Sequence, residues 1–213
     1  MKVWQRLLAS LVLMLPFLAQ ANTPAVAPQQ MVENATRALL DRVLKEKAEL
    51  QRDPEALFRL VDENITPFVD VDGIARGVMG QYFRQATPAQ QQEFARVFKQ
   101  SLVRTYARGL TAYDNQRIVF KPYRAGTDAT RAQVEMEVHA SGQVYPVTFQ
   151  LQTDKAGQWK VRNLIINGIN LGLTFRNQFA SAVEANRGNI GRAIAGWSPD
   201  TRALEDKPAQ AAK

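Results

Sequence analysis

The sequence contains no cysteine and a single histidine, His139, among its 213 residues. Without cysteine the chain has no disulfide, no catalytic thiol, no thiolate metal site and no acylated cysteine that would anchor a lipoprotein. A histidine-rich metal site is also excluded, and a Ser-His-Asp triad would have to use His139. That residue falls at the polar parity of a predicted strand, which favours an exposed and inert side chain. We therefore expect the hydrophobic core to stabilise the fold.

Long apolar runs are also missing, apart from residues 7–18, which are too few to span a bilayer. Lys2 and Arg6 precede this run, and Ala19-Gln20-Ala21 follows it. A basic segment, an apolar run and an A-x-A site form the pattern of a secretory signal peptide. We expect residues 1–21 to be removed and the mature chain to be exported and soluble.

The formal net charge is +7, but the basic residues are spread along the chain and form no compact cluster. The absence of an aromatic-basic motif also argues against nucleic acid as a partner. No glycine-rich phosphate loop, nucleophile elbow or carboxylate cluster with metal-ligand spacing is present. The spread positive charge is compatible with transient attraction to anionic membrane surfaces, and a merely solvated basic surface fits it equally well.

Helices are predicted for the first half of the chain. They cover about 29–51, the segment from Asp53-Pro54 to Pro67, a short segment closed by Gly80, and a long segment from Pro88 to about Tyr113. The long helix begins with Thr87-Pro88-Ala89-Gln90, a capping box with proline at its first position. An apolar stripe follows this helix, and it faces either the core or a ligand.

Four antiparallel strands are predicted between residues 117 and 166, joined by short turns. The clearest strand is 131–140, where Val134, Met136 and Val138 alternate with polar residues. Pro122 suggests that the first strand lies at an edge.

The stretch from Trp159 to Phe179 changes its hydrophobic period. A strand leads into the turn Asn167-Gly168, and Leu171, Phe175 and Phe179 then recur at helical spacing. The last predicted strand is therefore followed by an amphipathic helix. A short apolar segment ending at Trp197 is expected to pack back on the body.

These elements predict the α+β class, with a four-stranded antiparallel curved sheet and several helices packed on one of its faces. Such a cone holds either a filled core or an apolar cavity. We expect residues 22–197 to form a single domain, and residues 198–213, rich in proline, alanine and charge, to be a disordered tail.

The inward positions of the predicted strands are apolar, whereas the acids Glu135 and Glu137 share the outward parity with His139. A catalytic carboxylate is useful only where burial or a neighbour tunes its pKa, so the pattern argues against an enzyme.

An apolar interior suits an apolar ligand, and two acyl chains of roughly 30 carbons represent about 24 kcal/mol of hydrophobic free energy at about 0.8 kcal/mol per methylene. A carrier of such a ligand needs a deep dry pocket with the polar head at its mouth. The candidate lining residues are Met79, Phe83, Phe98, Leu102, Tyr106, Met136, Val147, Phe149, Val161 and Phe179.

Several motifs in order resemble the MlaC, or toluene-tolerance, family of periplasmic phospholipid carriers. They are P-F-V-D at 67–70, I-A-R-G-V-M-G-Q-Y-F-R at 74–84, T-P-A-Q-Q-Q-E-F at 87–94, W-K-V-R-N at 159–163 and F-R-N-Q-F at 175–179. Phe83 and Asn163 depart from the family pattern, in which tryptophan and aspartate are common there. Both changes are mild.

The resemblance implies a monomeric periplasmic protein that holds phospholipid tails between an NTF2-like sheet and the helices. It also implies exchange of lipid with an inner-membrane ABC transporter bearing a substrate-binding ring and with an outer-membrane lipoprotein–porin complex. The expected consequence is outer-membrane lipid asymmetry and resistance to solvents and detergents, with no cofactor and no catalysis.

Two other functions remain open at this point. A small periplasmic isomerase or lyase could act on a hydrophobic substrate in the same cone, which would require an inward carboxylate with a raised pKa. A structural or chaperone-like module would instead have an interior filled by its own side chains.

Overall fold

The computed structural model describes residues 27–111, 113–200 and 210–211. The expected signal peptide lies outside the described residues, as does most of the expected disordered tail. The helices are α1 Pro28–Leu50, α2 Pro54–Asn64, α3 Val71–Met79, α4 Pro88–Thr111, α5 Leu171–Ala185 and α6 Ile190–Ala195. The strands are β1 Arg117–Phe120, β2 Arg131–Ala140, β3 Gln143–Thr153, β4 Trp159–Ile166, β5 Ile169–Asn170 and β6 Gln210–Ala211. Short 3-10 helices cover Thr66–Phe68 and Gly80–Arg84.

The predicted helix starts are confirmed by their capping hydrogen bonds. The Asp53 carboxylate accepts from the backbone N–H of Glu55 at 2.9 Å, at the start of α2. At the start of α4 the Thr87 N–H donates to Gln90 Oε1 at 2.9 Å, and the Gln90 N–H donates to Thr87 Oγ1 at 3.2 Å. These bonds satisfy N–H groups that have no partner within the helix.

The sheet is antiparallel in the order β1-β2-β3-β4-β5, and the short β6 pairs with β3. The prediction of four strands was therefore wrong. The fifth strand exists because Asn167 and Gly168 both adopt positive φ, at 51° and 76°, and return the chain so that Ile169 pairs with Ile166. This is the two-residue hairpin that an Asn-Gly pair favours. A strand of two residues is too short to show alternation in the sequence.

A β-bulge lies between β3 and β4. Gln150 pairs with Asn163 and Leu151 pairs with Val161, so Arg162 has no opposite residue. An extra residue of this kind bends the strand and increases its twist. The bulge also directs Arg162 toward the start of α3, as described below.

Three buried clusters make up the interior. The α5 core lies between α3, α4, α5 and α6 and includes Phe94, Phe179 and Trp197, which confirms that the segment ending at Trp197 packs on the body. The sheet core joins Met31 and Val32 of α1 to apolar residues of β2, β3 and β4. The α2 core joins α1 and α2 around Val43, Leu57 and Leu60, and Val103 of α4 packs against it. The next section describes the place where these clusters meet.

The outer face of β2 is polar, as expected, and Gln133 and Glu135 on it are exposed. His139 belongs to it, although its side chain is half-buried and not fully exposed, because its Nε2 lies 3.1 Å from the Glu137 carboxylate. Lys121 Nζ lies 2.6 Å from the same carboxylate. These contacts, with the hydrogen bond from Lys121 as the larger cause, lower the pKa of Glu137.

Candidate functional site: an apolar pocket where three clusters meet

An apolar pocket of about 220 Å³ lies between α2, α3, α4, β4 and α5. Phe98, Leu171 and Phe175 reach it from the α5 core, and Val161 reaches it from the sheet core. Val103 reaches it from the edge of the α2 core. The full lining is Val61, Ile65, Thr66, Val69, Val71, Ile74, Phe98, Lys99, Leu102, Val103, Val161, Asn163, Leu164, Leu171, Gly172 and Phe175.

The segment before α3 forms one wall of this pocket because it is attached to β4. Val69 makes a parallel β-bridge with Val161, and the Asp70 N–H donates to the Val161 carbonyl at 3.1 Å. The Asp70 carboxylate accepts from the Gly73 N–H at 2.8 Å, which caps α3, and it pairs with the Arg162 guanidinium. The bulged strand and the helix start are thus joined at the pocket wall.

A hydrogen-bonded network around Asn163 forms the wall at the start of α5. Asn163 Oδ1 accepts from the Gly172 N–H at 2.9 Å, and its Nδ2 donates to Gln150 Oε1 and Asn170 Oδ1, both at 2.9 Å. Asn170 Oδ1 also accepts from the Leu173 N–H at 3.1 Å. Because these polar atoms bond to each other, the network satisfies them next to an otherwise apolar pocket.

A polar cleft of about 570 Å³ adjoins the pocket and shares with it Thr66, Val69, Val71 and Lys99. Its remaining lining is mostly charged or polar, namely Asp70, Asp72, Gln92, Ala95, Arg96, Asp154 and Lys160. Lys160 Nζ donates to the Pro67 carbonyl at 2.7 Å. The molecule therefore places cations and carboxylates at one side of an apolar pocket.

An ion pair between α2 and α4 lies where the pocket and the cleft meet. Lys99 Nζ is 2.7 Å from Asp62 Oδ1, and Thr66 Oγ1 donates to the same oxygen at 2.9 Å. The hydrogen bond from Lys99, followed by that from Thr66, lowers the pKa of the Asp62 carboxyl. Asp62 is therefore ionised at neutral pH and holds α2 to α4 by charge.

The structure brings three of the predicted lining residues, Phe98, Leu102 and Val161, to the pocket. It places Met79 and Phe179 within the α5 core, where they are 1% and 0% exposed, and Phe83 is half-buried against that core. Three predicted lining residues come from β2 and β3, namely Met136, Val147 and Phe149, and none of them lines the pocket. Phe149 packs against the sheet core instead. The side chain of Tyr106 lies outside the described part, and lipid contact by any of the ten stays a prediction.

Several lining residues were missed by the sequence reasoning. Leu171 and Phe175 belong to the same helical stripe as Phe179, so periodicity alone could have included them. Val69 could not have been found, because only the bridge to Val161 brings it to the pocket.

No carboxylate lines the apolar pocket. Where a carboxyl pKa departs from its ordinary value in the described residues, it is lowered by hydrogen bonds. The groups are Glu46, Asp62, Glu93, Asp128 and Glu137. In the same part of the chain no three acidic or histidine side chains are grouped as metal ligands would be. No described helix combines the length and apolar character needed to cross a bilayer.

Comparison with models of known protein families identifies a family for this chain. A family model described as MlaC protein matches residues 33–198. The chain belongs to the MlaC family. Among curated relatives, the toluene tolerance protein Ttg2D of Pseudomonas putida is 37% identical over 195 residues, which is 89% of this chain and 90% of that protein.

Two further proteins are similar to this chain. The intermembrane phospholipid transport system binding protein MlaC of Haemophilus influenzae is 22% identical over 148 residues, covering 68% of this chain and 69% of that protein. A phospholipid-binding protein of Ralstonia solanacearum, solved in complex with a phospholipid, has a TM-score of 0.73 and 32% identity. That similarity covers 79% of this chain and 93% of the solved chain.

Proposed function

We propose that this MlaC-family chain is a periplasmic phospholipid carrier that holds acyl chains in the apolar pocket and is not an enzyme. One observation carries the proposal: an apolar pocket opens directly beside a polar cleft that is lined by three cations, Arg96, Lys99 and Lys160, and by three carboxylates. A phospholipid has the same division, since its tails are apolar and its phosphate is an anion. The phosphate would lie in the cleft, where ammonium and guanidinium groups can donate charge-assisted hydrogen bonds.

The pocket has to enlarge to hold two tails. Its volume of about 220 Å³ is below the range of roughly 300–1,000 Å³ typical of sites for drug-sized ligands. The contacts between α2 and α4 are those that would separate. They include the ion pair between Asp62 and Lys99 and the Arg104 guanidinium, which lies 5.8 Å from the centroid of the Phe58 ring. Both lie at the surface and are cheaper to break than core packing.

In the cell the carrier would act as a monomer between the two membranes. It would exchange phospholipid with an inner-membrane ABC transporter bearing a substrate-binding ring and with an outer-membrane lipoprotein–porin complex. The names of the relatives support this, because one is a binding protein of an intermembrane phospholipid transport system and another is a toluene tolerance protein. Loss of the protein would then reduce outer-membrane lipid asymmetry and resistance to solvents.

The deciding experiment is mass spectrometry of a solvent extract from the mature protein, purified from the periplasm without detergent. We expect stoichiometric phospholipid. The variant Leu102→Trp adds bulk to the pocket wall and should lower the lipid content severalfold, whereas Leu173→Trp changes a side chain of α5 that is 53% exposed and should retain it. Folding of both is checked by circular dichroism.

An extract without phospholipid, together with no uptake from vesicles, would contradict the proposal and favour a filled core. Equal lipid content in Leu102→Trp, Leu173→Trp and the unaltered protein would show that the lipid binds elsewhere.

A further inference from the structure

A second cleft lies on the far side of α3 and α5, and its charged groups are all arginines. It has a volume of about 620 Å³ and shares no lining residue with the apolar pocket or the polar cleft. Its lining comprises Arg76, Gly77, Met79, Gly80, Gln81, Tyr82, Phe83, Arg84, Arg176, Asn177 and Ala180. No carboxylate is among these residues. We call it the arginine cleft.

Two of the three guanidinium groups are held in place by the protein. Arg176 Nε donates to the Gly77 carbonyl at 2.7 Å, and its aliphatic part lies over Gly80, where an added Cβ would be 3.5 Å from Cγ and Cδ. Arg76 stacks on Phe83, with 5.0 Å between the guanidinium carbon and the ring centroid. A guanidinium has five N–H donors, so the Nη groups of Arg176 remain available to an anion. Positioning them before binding lowers the entropy lost on binding.

The three arginines make no ion pair with a carboxylate within the described residues. Arg76, Arg84 and Arg176 are all exposed. Like charges at one cleft repel each other, and an anionic partner relieves that repulsion. The cleft is therefore complementary to negative charge supplied from outside the chain.

We propose that the arginine cleft binds an acidic segment of a partner protein, with carboxylates on the arginines and an apolar side chain against Tyr82 and Phe83. The composition favours a protein partner, because arginine and aromatic residues are enriched at protein interfaces and lysine, which is absent from this cleft, is depleted there. Guanidinium groups also match carboxylates in bidentate geometry. The cleft does not touch the lipid pocket, so this inference stands independently of the proposed function.

The test uses the full mature chain and a short fluorescein-labelled peptide that is rich in glutamate and contains a phenylalanine. Binding is measured by fluorescence anisotropy at two salt concentrations. We expect Arg84→Glu and Arg76→Glu each to weaken binding about tenfold or more, as expected for loss of a charge-assisted contact. Arg124→Glu changes the net charge equally at an exposed loop position after β1 and should bind as the unaltered chain does. The peptide with glutamine in place of glutamate should not bind.

Three results would overturn the proposal. Equal weakening by Arg124→Glu would show attraction to net charge alone, and unchanged binding in Arg84→Glu and Arg76→Glu would show a solvated surface. If these two variants instead lose binding to vesicles of phosphatidylcholine with phosphatidylglycerol while retaining the peptide, the cleft faces a membrane. Circular dichroism and phospholipid content of the variants separate loss of this surface from loss of fold or of the carrier function.

Discussion

Gly73 lies against the ion pair that joins α3 to the bulged strand β4. A Cβ at this position would collide with the Arg162 guanidinium and with the Asp70 carboxylate, which also caps α3. A glycine here leaves room for the ends of these two side chains, and an added methyl group would displace one or both of them. The backbone bridge between Val69 and Val161 does not involve this position.

We expect Gly73→Ala to lower the free energy of unfolding by about 1–3 kcal/mol, because the helix cap and the ion pair cannot both remain in place. Urea denaturation of the lipid-free protein measures this change. Gly126→Ala is the matched control, since its added Cβ would have no neighbour within 4 Å. Equal stability of Gly73→Ala and Gly126→Ala would show that Asp70 and Arg162 do not couple the wall to α3.

Asn163 belongs to the pocket wall at the start of α5, where its one amide bonds both the sheet and that helix. We predict that Asn163→Ala lowers the free energy of unfolding by about 1–3 kcal/mol, since the Gly172 N–H and Gln150 lose their partner. Chemical denaturation again provides the measurement. Asn34→Ala removes an exposed amide that bonds only Gln30 on the same helix, and it should change stability little. A smaller effect from Asn163→Ala than from Asn34→Ala would contradict this role.

At the scale of elements, α2 and α4 are joined beside the pocket by an exposed ion pair and by the packing of Val103 on the α2 core. Asp62 and Lys99 join them through side chains that are 58% and 33% exposed. The opposite wall is built from backbone pairing between β3 and β4 and from α5, whose Phe175 and Phe179 are buried. Enlargement of the pocket should therefore occur by movement of α2 away from α4.

The variant Asp62→Asn should accelerate transfer of phospholipid from the protein to acceptor vesicles, measured with a fluorescent phospholipid. It removes the charge that holds Lys99, while the amide keeps nearly the same size. Asp128→Asn is the control, because it removes an exposed ion pair, with Arg131 Nε 3.4 Å from the Asp128 carboxylate, and neither residue lines the pocket or the cleft. Transfer that is equally fast in Asp62→Asn, Asp128→Asn and the unaltered protein would place the opening elsewhere.

The same ion pair predicts a pH dependence. Because the pKa of Asp62 is lowered in the folded protein, its contribution is complete above the unfolded value of about 3.9 and is lost as the pH falls through the folded value. Transfer should therefore be constant from neutral pH down to about pH 5 and accelerate only below about pH 4. Asp62→Asn should lack this acceleration. A rise already present at pH 6 would point to a different group.

At the scale of the whole molecule, the interior is divided into three clusters, and the pocket lies at their junction. None of the α5 core, the sheet core or the α2 core fills this junction completely. A ligand there would add contacts to all three clusters at once. Binding to the folded state alone stabilises it by about 2.7 kcal/mol when the free ligand is at 100 times its Kd.

We therefore expect phospholipid to raise the midpoint of thermal unfolding of the delipidated protein by several degrees. Differential scanning calorimetry before and after loading from vesicles makes the comparison. Leu102→Trp should show little or no shift, whereas Leu173→Trp should shift as the unaltered protein does. An unchanged midpoint in the loaded protein would mean that the lipid does not bridge the three clusters.

The sequence by itself determined the elements whose causes are local. The caps at Asp53 and Thr87, the alternation in β2 and the turn at Asn167-Gly168 all act between residues a few positions apart, and they are all found in the structure. The motifs between residues 67 and 179 also led to the family. The long alternating strands likewise predicted an apolar inner face and a polar outer one.

Tertiary structure decided which apolar residues line the pocket and which fill the core. Phe175 and Phe179 lie one helical turn apart on the same stripe, yet Phe175 reaches the pocket and Phe179 is packed against Phe94 in the α5 core. Periodicity specifies a face of a helix but not what that face meets. The bulge at Arg162, the bridge from Val69 to Val161 and the short strand β5 depend on contacts between distant segments. A local pattern shows which face of an element is buried, but whether that face meets the pocket or the core is set by where separate elements meet.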